Sequence, residues 1–152
     1  MDTFGNTDPR KMPGHLFHGS IGKDYSSAER ADTSKQNYTV CPRYWYIDVS
    51  FECQDCKKSF VWLAKEQKLW FEEYGHYVDS QANACRNCRH LRRRRKNLRK
   101  EYDQIVGAAR DENSQEAKIR VISIVDTLEC LGMAVAESMR DSRDLFRKQI
   151  YK

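Results

Sequence analysis

Apolar residues are scattered over the first forty positions and become periodic only beyond them. Residues 1–40 are rich in Gly, Ser, Asp, Asn and Thr, contain Pro9 and Pro13, and repeat no apolar face at a period of 2 or 3.6. That pattern predicts a flexible N-terminal arm in which His15 and His18 are solvated. Trp45, Ile47, Val49 and Phe51 then alternate with Tyr46, Asp48 and Ser50, the period of a half-buried strand. A second short strand fits residues 59–62. Good helix formers follow from Ala64 to Tyr74, with Gly75 in place to end the helix. Offsets of three and four would put Leu63, Gln67, Trp70, Phe71 and Tyr74 on one face, packed on the strands.

The helical period returns at about Arg89, with Leu91, Leu98, Tyr102 and Ile105 forming a narrow apolar seam on a charged surface. Gly107 and the polar run Arg110 to Ser114 predict a break. A further helix fits residues 115–131, with Ile119, Ile122, Val125 and Leu128 inward and Gly132 at its end. A last helix carries Val135, Met139, Phe146 and Ile150. The expected fold class is small α+β: short β-hairpins and a short helix, a basic helix, and a C-terminal α-helical hairpin. The expected division is an arm over 1–40, a metal-built domain over 41–90, a connecting helix over 91–110 and the hairpin over 112–152.

Composition agrees with a modest core. Of 152 residues, 39% are hydrophobic and 32% charged, and mean hydropathy is −0.85, so a bound metal would offset limited apolar burial. No run approaches the roughly 18 apolar residues of a membrane span, and the N-terminus lacks the apolar stretch of a secretory signal. The expected location is therefore cytoplasmic, without membrane association.

Charge changes the picture once it is divided along the chain. Residues 1–40 hold five basic and five acidic side chains, and residues 112–152 seven of each. Residues 86–100 hold nine basic side chains and no acid: Arg86, Arg89, Arg92, Arg93, Arg94, Arg95, Lys96, Arg99 and Lys100. A helix so charged attracts polyanions, and these nine are the candidate nucleic-acid-binding residues, although Arg86 and Arg89 could instead neutralise a neighbouring anionic metal site.

The strongest chemical pattern is Cys53-Gln-Asp-Cys56, 28 residues, then Cys85-Arg-Asn-Cys88. Two close cysteine pairs can complete a tetrahedral thiolate shell around one structural Zn²⁺, with Cys53, Cys56, Cys85 and Cys88 as ligands. A strand, a two-residue metal turn and a strand together make a zinc knuckle. Three disulfides would require an oxidising compartment, and a redox dithiol needs one pair on a βαβ scaffold. An iron–sulfur cluster could also use four cysteines, with the knuckle-like spacing favouring zinc. Cys41 has no partner at ligand spacing, and Cys130, inside an apolar helix, reads as a small core residue. His76 and His90 flank the site as surface or supporting groups. A closed four-sulfur site leaves no position for an activated water, and no nucleophile, base and orienting group cluster elsewhere, so no enzyme is expected.

The run Tyr46-Ile-Asp48-Val-Ser-Phe51-Glu-Cys53-Gln-Asp55-Cys56, followed by Phe60-Val61-Trp62, Ala64, Glu66-Gln67, Trp70-Phe71, Gly75 and Cys85-Arg86-Asn87-Cys88-Arg89, resembles the bacterial probable zinc-ribbon domain family over residues 44–89. The resemblance implies zinc and a ribbon fold for the 41–90 domain, and it carries no activity with it. Lys57 stands where that pattern has Gly, and Leu63 where it has a Thr helix cap worth about 1 kcal/mol. The function expected is a non-catalytic zinc-ribbon protein binding RNA or DNA through the basic helix, with Trp62, Trp70 or Tyr77 available for base stacking if exposed. The alternative is a zinc-stabilised protein–protein interaction or assembly module using the C-terminal hairpin.

Overall fold

A computed structural model describes residues 5–151. Its contacts divide the chain into two compact units, one ending at Cys88 and the other beginning at Arg89.

The first unit is built on a three-stranded antiparallel sheet in the order β1-β2-β3. Strand β2 (Trp45–Glu52) is the alternating segment anticipated above and strand β3 (Ser59–Trp62) the second short strand, paired from Val49↔Trp62 to Glu52↔Ser59. The third strand corrects the reading of the arm. Residues Gly22–Arg30 form β1, paired to β2 from Gly22↔Ser50 to Arg30↔Trp45. Its signal is missing from the sequence because the register slips between Asp24 and Glu29, so no period of 2 runs through it. Within that bulge Asp24 accepts from the Ser26 amide at 2.9 Å, and the Ser27 hydroxyl accepts from the Asp48 amide at 2.7 Å.

Other described parts of the arm are ordered too. Met12, Leu16 and Phe17, in and beside the short 3-10 turns Pro9–Lys11 and Gly14–Phe17, are buried with Tyr46, Ile47, Val49, Trp62 and Phe71. His18 is half-buried rather than solvated. Its ring lies 5.3 Å from that of Trp62 and stacks on Phe71 at 5.9 Å, in a left-handed backbone conformation with φ 59°.

Helix α1 (Ala64–Lys68) continues as a π-helical turn over Leu69–Glu73 and ends before Gly75, whose φ of 66° suits a residue without Cβ. Leu63 caps nothing with its side chain. Instead the Asp48 carboxylate of β2 accepts from the Ala64 amide at 2.6 Å, so a neighbouring strand supplies the missing cap. Buried Gln67 donates to the Ile47 and Trp62 carbonyls at 2.6 and 2.9 Å, tying the helix to β2 and β3. Phe71 packs inward as expected, whereas Leu63 and Tyr74 stay exposed.

The second unit is helical. Helix α2 (Arg86–Asp111) starts earlier and runs longer than expected, since Gly107 lies inside it without a break. The chain turns at Asn113, φ 53°, and Ser114 caps α3 (Gln115–Cys130) by accepting from the Ala117 amide. Gly132, φ 69°, ends that helix as anticipated, and α4 (Glu137–Ile150) follows. Tyr102 and Ala109 of α2, Val121, Ile124, Val125 and Leu128 of α3, and Met139 and Phe146 of α4 share one core. Ile119, expected inside, is 47% exposed, and Cys130 is exposed rather than a core residue. Arg120 joins α3 to Glu101 of α2 through two hydrogen bonds of 2.6 and 2.9 Å, and Arg143 of α4 reaches Asp126 and Glu129 of α3. Among the described residues no helix is long and apolar enough to cross a membrane.

Burial, and then the Arg43 guanidinium, lower the His18 pKa from 6.5 to about 4, against the opposing field of Asp79. The native state thus keeps His18 neutral where the unfolded chain would protonate it. Stability is fully present above the unfolded value and falls as pH drops from about 6.5 to about 4, by on the order of 3 kcal/mol. His18→Asn, which tolerates the left-handed backbone, should flatten this part of the pH–stability curve. Denaturant unfolding of both proteins across that range checks it, and identical slopes would contradict it.

Candidate metal centre

The centre is assembled from two kinds of backbone. Cys53 and Cys56 lie in the turn between β2 and β3, where the Cys53 amide donates to the Lys58 carbonyl at 2.9 Å and the Lys57 amide to the Cys53 carbonyl at 3.0 Å. These bonds fold the turn tightly enough to aim both sulfurs one way. Lys57 adopts φ 61° there, the conformation glycine takes without strain. Cys85 immediately precedes α2, and Cys88 lies in its first turn. Both sulfurs therefore sit at a helix N-terminus, where the aligned peptide dipoles favour negative charge.

The loop that returns the chain to the turn is held from several sides. Val78, Ala82 and Ala84 are buried. The Val78 amide donates to the Asn37 carbonyl at 3.1 Å, and the Gln54 amide of the turn donates to the Asn83 carbonyl at 3.0 Å. Buried Arg43 reaches Asp79 at 2.6 Å while its own backbone exchanges two hydrogen bonds with the Gln36 side chain. Asn37, Gln36 and Arg43 are thus positioning residues for the second ligand pair. The sequence carried no signal for them, because Asn37 and Arg43 find their loop partners about forty positions away, and Gln36 acts through Arg43 and Tyr46 at spacings that obey no period.

Within this frame the sulfurs of Cys53, Cys56, Cys85 and Cys88 all lie within 4.8 Å of one another, and the Cys56 and Cys85 sulfurs are 3.9 Å apart. Tetrahedral Zn–S bonds of about 2.3 Å require sulfur separations of about 3.8 Å, so the donor set fits zinc. Cys53 is buried, Cys85 and Cys88 are half-buried and Cys56 is exposed. Burial resists ionisation of Cys53, but the backbone amides of Cys56, Cys85 and Asp55 outweigh it and bring the thiol below its ordinary range. The Cys85 amide donates to that sulfur at 3.2 Å. Cys88 is pushed upward, first by its hydrogen bond with Cys85 and then by burial and the other sulfurs. With Zn²⁺ bound in place of these shared protons, Cys53, Cys56, Cys85 and Cys88 would form a closed four-thiolate site of net charge about −2. Its chemistry is cross-linking.

The remaining sequence candidates separate. His76 and His90 are outside the cluster, and the His76 ring lies 4.3 Å from Trp70. Trp62 is fully buried, Trp70 is half-buried and donates to the Ser80 hydroxyl at 3.1 Å, and the Tyr77 hydroxyl is hydrogen-bonded to Thr39 at 2.7 Å. Of the nine basic residues, all on α2, Arg86, Arg92, Arg93, Arg94, Lys96, Arg99 and Lys100 are exposed and Arg89 and Arg95 half-buried. Arg95 is diverted, since its guanidinium donates to the Leu131 carbonyl at the end of α3.

A family model described as a probable treble clef domain matches residues 47–97, about a third of the chain. No curated protein and no solved structure matches it. Knuckle, hairpin, and a helix whose first turn completes the ligand set define a zinc-binding treble clef domain. This corrects the ribbon implied by the family resemblance, because the second pair belongs to a helix start.

Purified protein should hold one zinc per chain by elemental analysis. Since the metal contributes on the order of 10 kcal/mol, a strong chelator should collapse the aromatic near-UV signal of the sheet. The helices from Arg89 onward, whose core contains no ligand, should keep their hydrogen-exchange protection; simultaneous loss of both would contradict that independence. Lys57→Gly should stabilise the zinc-loaded protein by about 1 kcal/mol through relief of the left-handed strain, read as a shift in the thermal midpoint.

Proposed function

We propose that the protein is a non-catalytic nucleic-acid-binding module in which the treble clef carries a basic helix. One observation carries the reading: the arrangement of charge on α2. At 100° per residue, Arg86, Arg89, Arg92, Arg93, Lys96, Arg99 and Lys100 fall within an arc of about 140°, extending about 21 Å along the axis. Leu91, Leu98, Tyr102 and Ile105 occupy the opposite side, where Tyr102 is buried and Leu98 and Ile105 pack on the helical core. Over residues 86–100 the helix is turned inward on one side and cationic on the other, the first acids on it being Glu101 and Asp103, and that stretch presents a field suited to a row of phosphates. The closed thiolate site supports a structural, not a reactive, role for the metal.

For the assembly alternative the hairpin offers exposed Ile119 and Leu145, separate from its main apolar stripe. The apolar stripe of the C-terminal hairpin, Val135, Met139 and Phe146, is buried within its own unit.

Six of the seven arc residues are exposed, so about six phosphate contacts give a slope of about −5 for log affinity against log salt. Zinc-loaded protein titrated with labelled generic DNA and RNA at several salt concentrations measures this. A salt-independent signal, or no binding at low salt, would sink the reading.

A further inference from the structure

Resting on that reading, we infer that the nucleic acid is B-form duplex DNA, entered by α2 along the major groove. The argument begins with what the helix lacks. Sequence-tolerant binding of single strands depends on aromatic side chains that stack on successive bases. Tyr102, the one Phe, Tyr or Trp of α2, is buried and hydrogen-bonded to Ser142 at 3.2 Å, which leaves the single small ring of His90 as the exposed aromatic group of the helix. The indole of Trp62 is enclosed by Phe51, Trp70, Phe71 and His18. A helix with no exposed Phe, Tyr or Trp for successive bases holds its ligand chiefly by the phosphates, and a duplex presents these in two fixed rows.

The width of the charged arc then selects between duplexes. Arg92 and Arg99 lie on one border of the arc and Arg86 and Arg93 on the other, with Lys96 between them. A helix about 10–12 Å across including side chains matches a B-form major groove about 12 Å wide. Seated there, its two borders would each face one phosphate row and Lys96 would point to the floor. The major groove of an A-form RNA helix is too narrow and deep for this seating, and its wide minor groove would meet one border at a time. The face that must enter holds no acid between residues 86 and 100.

The test uses the full zinc-loaded chain and labelled nucleic acids of one length and sequence: duplex DNA, duplex RNA and single-stranded DNA, followed by fluorescence anisotropy at fixed salt. Duplex DNA should bind at least tenfold more tightly than either other form, and dimethyl sulfate should show protection at guanine N7 in the major groove. Equal or tighter binding of single strands or duplex RNA, or protection confined to adenine N3 in the minor groove, overturns the inference while leaving nucleic-acid binding intact. Binding of none of the three overturns both. The triple variant Arg93→Ala, Lys96→Ala, Arg99→Ala should weaken duplex binding more than tenfold. Removing the same number of charges elsewhere, by Lys58→Ala, Lys65→Ala and Lys148→Ala, should change it less than threefold. Equal losses would show that net charge, not the arc, binds the duplex. Zinc content and helicity, measured on both triples, establish that each remains folded.

Discussion

Four thiolates closing around one metal ion are the constraint on which the first unit depends. The ligands come from a tight β-turn and from a helix start, two segments that share no regular hydrogen-bonding pattern with each other. A cross-link between them fixes the distance from the sheet to the first turn of α2 and removes much of the freedom of the connecting loop. Helix dipole, backbone amides and dication all favour charged sulfur at the same point. The small aromatic core around Trp62, Tyr46 and Phe71 is then sufficient because it does not have to hold that geometry alone.

The polar framework around the site is built from borrowed partners. Asp48 caps a helix to which it does not belong, and Gln67 satisfies two carbonyls of the sheet from inside α1. Asn37 and Arg43 hold the loop that delivers the second cysteine pair. Asp48, Gln67 and Arg43 are buried or half-buried polar groups whose cost is met by a specific partner, while exposed Asn37 contributes its backbone carbonyl. Together they explain why a domain with so little apolar surface keeps a single arrangement.

In the second unit the chain separates two uses of cations. Arg95, Arg120 and Arg143 are spent on a helix-end carbonyl and on carboxylates of neighbouring helices. The arc residues of α2 lie on the side away from the seam, and all but Arg89 are exposed. The same residue types therefore hold the bundle together on one side and form an exposed cationic face on the other.

Much of this was legible in the chain itself. The cysteine pairs announce four ligands by spacing, alternation announces β2, and glycines mark the ends of α1 and α3, because each signal is local in the chain. The acid-free run from Arg86 to Lys100 likewise shows where the charge is. Tertiary structure alone decided that residues 22–30 form a third strand, since the slipped register between Asp24 and Glu29 erases the period. It also decided that His18 stacks on Phe71, that Asp48 replaces a cap, and that Arg95 leaves the basic set for a carbonyl of α3. Ribbon and treble clef share the same cysteine spacing. They differ only in whether the second pair opens a hairpin or a helix, which depends on how the loop before Cys85 packs, and that packing is made by contacts distant in sequence.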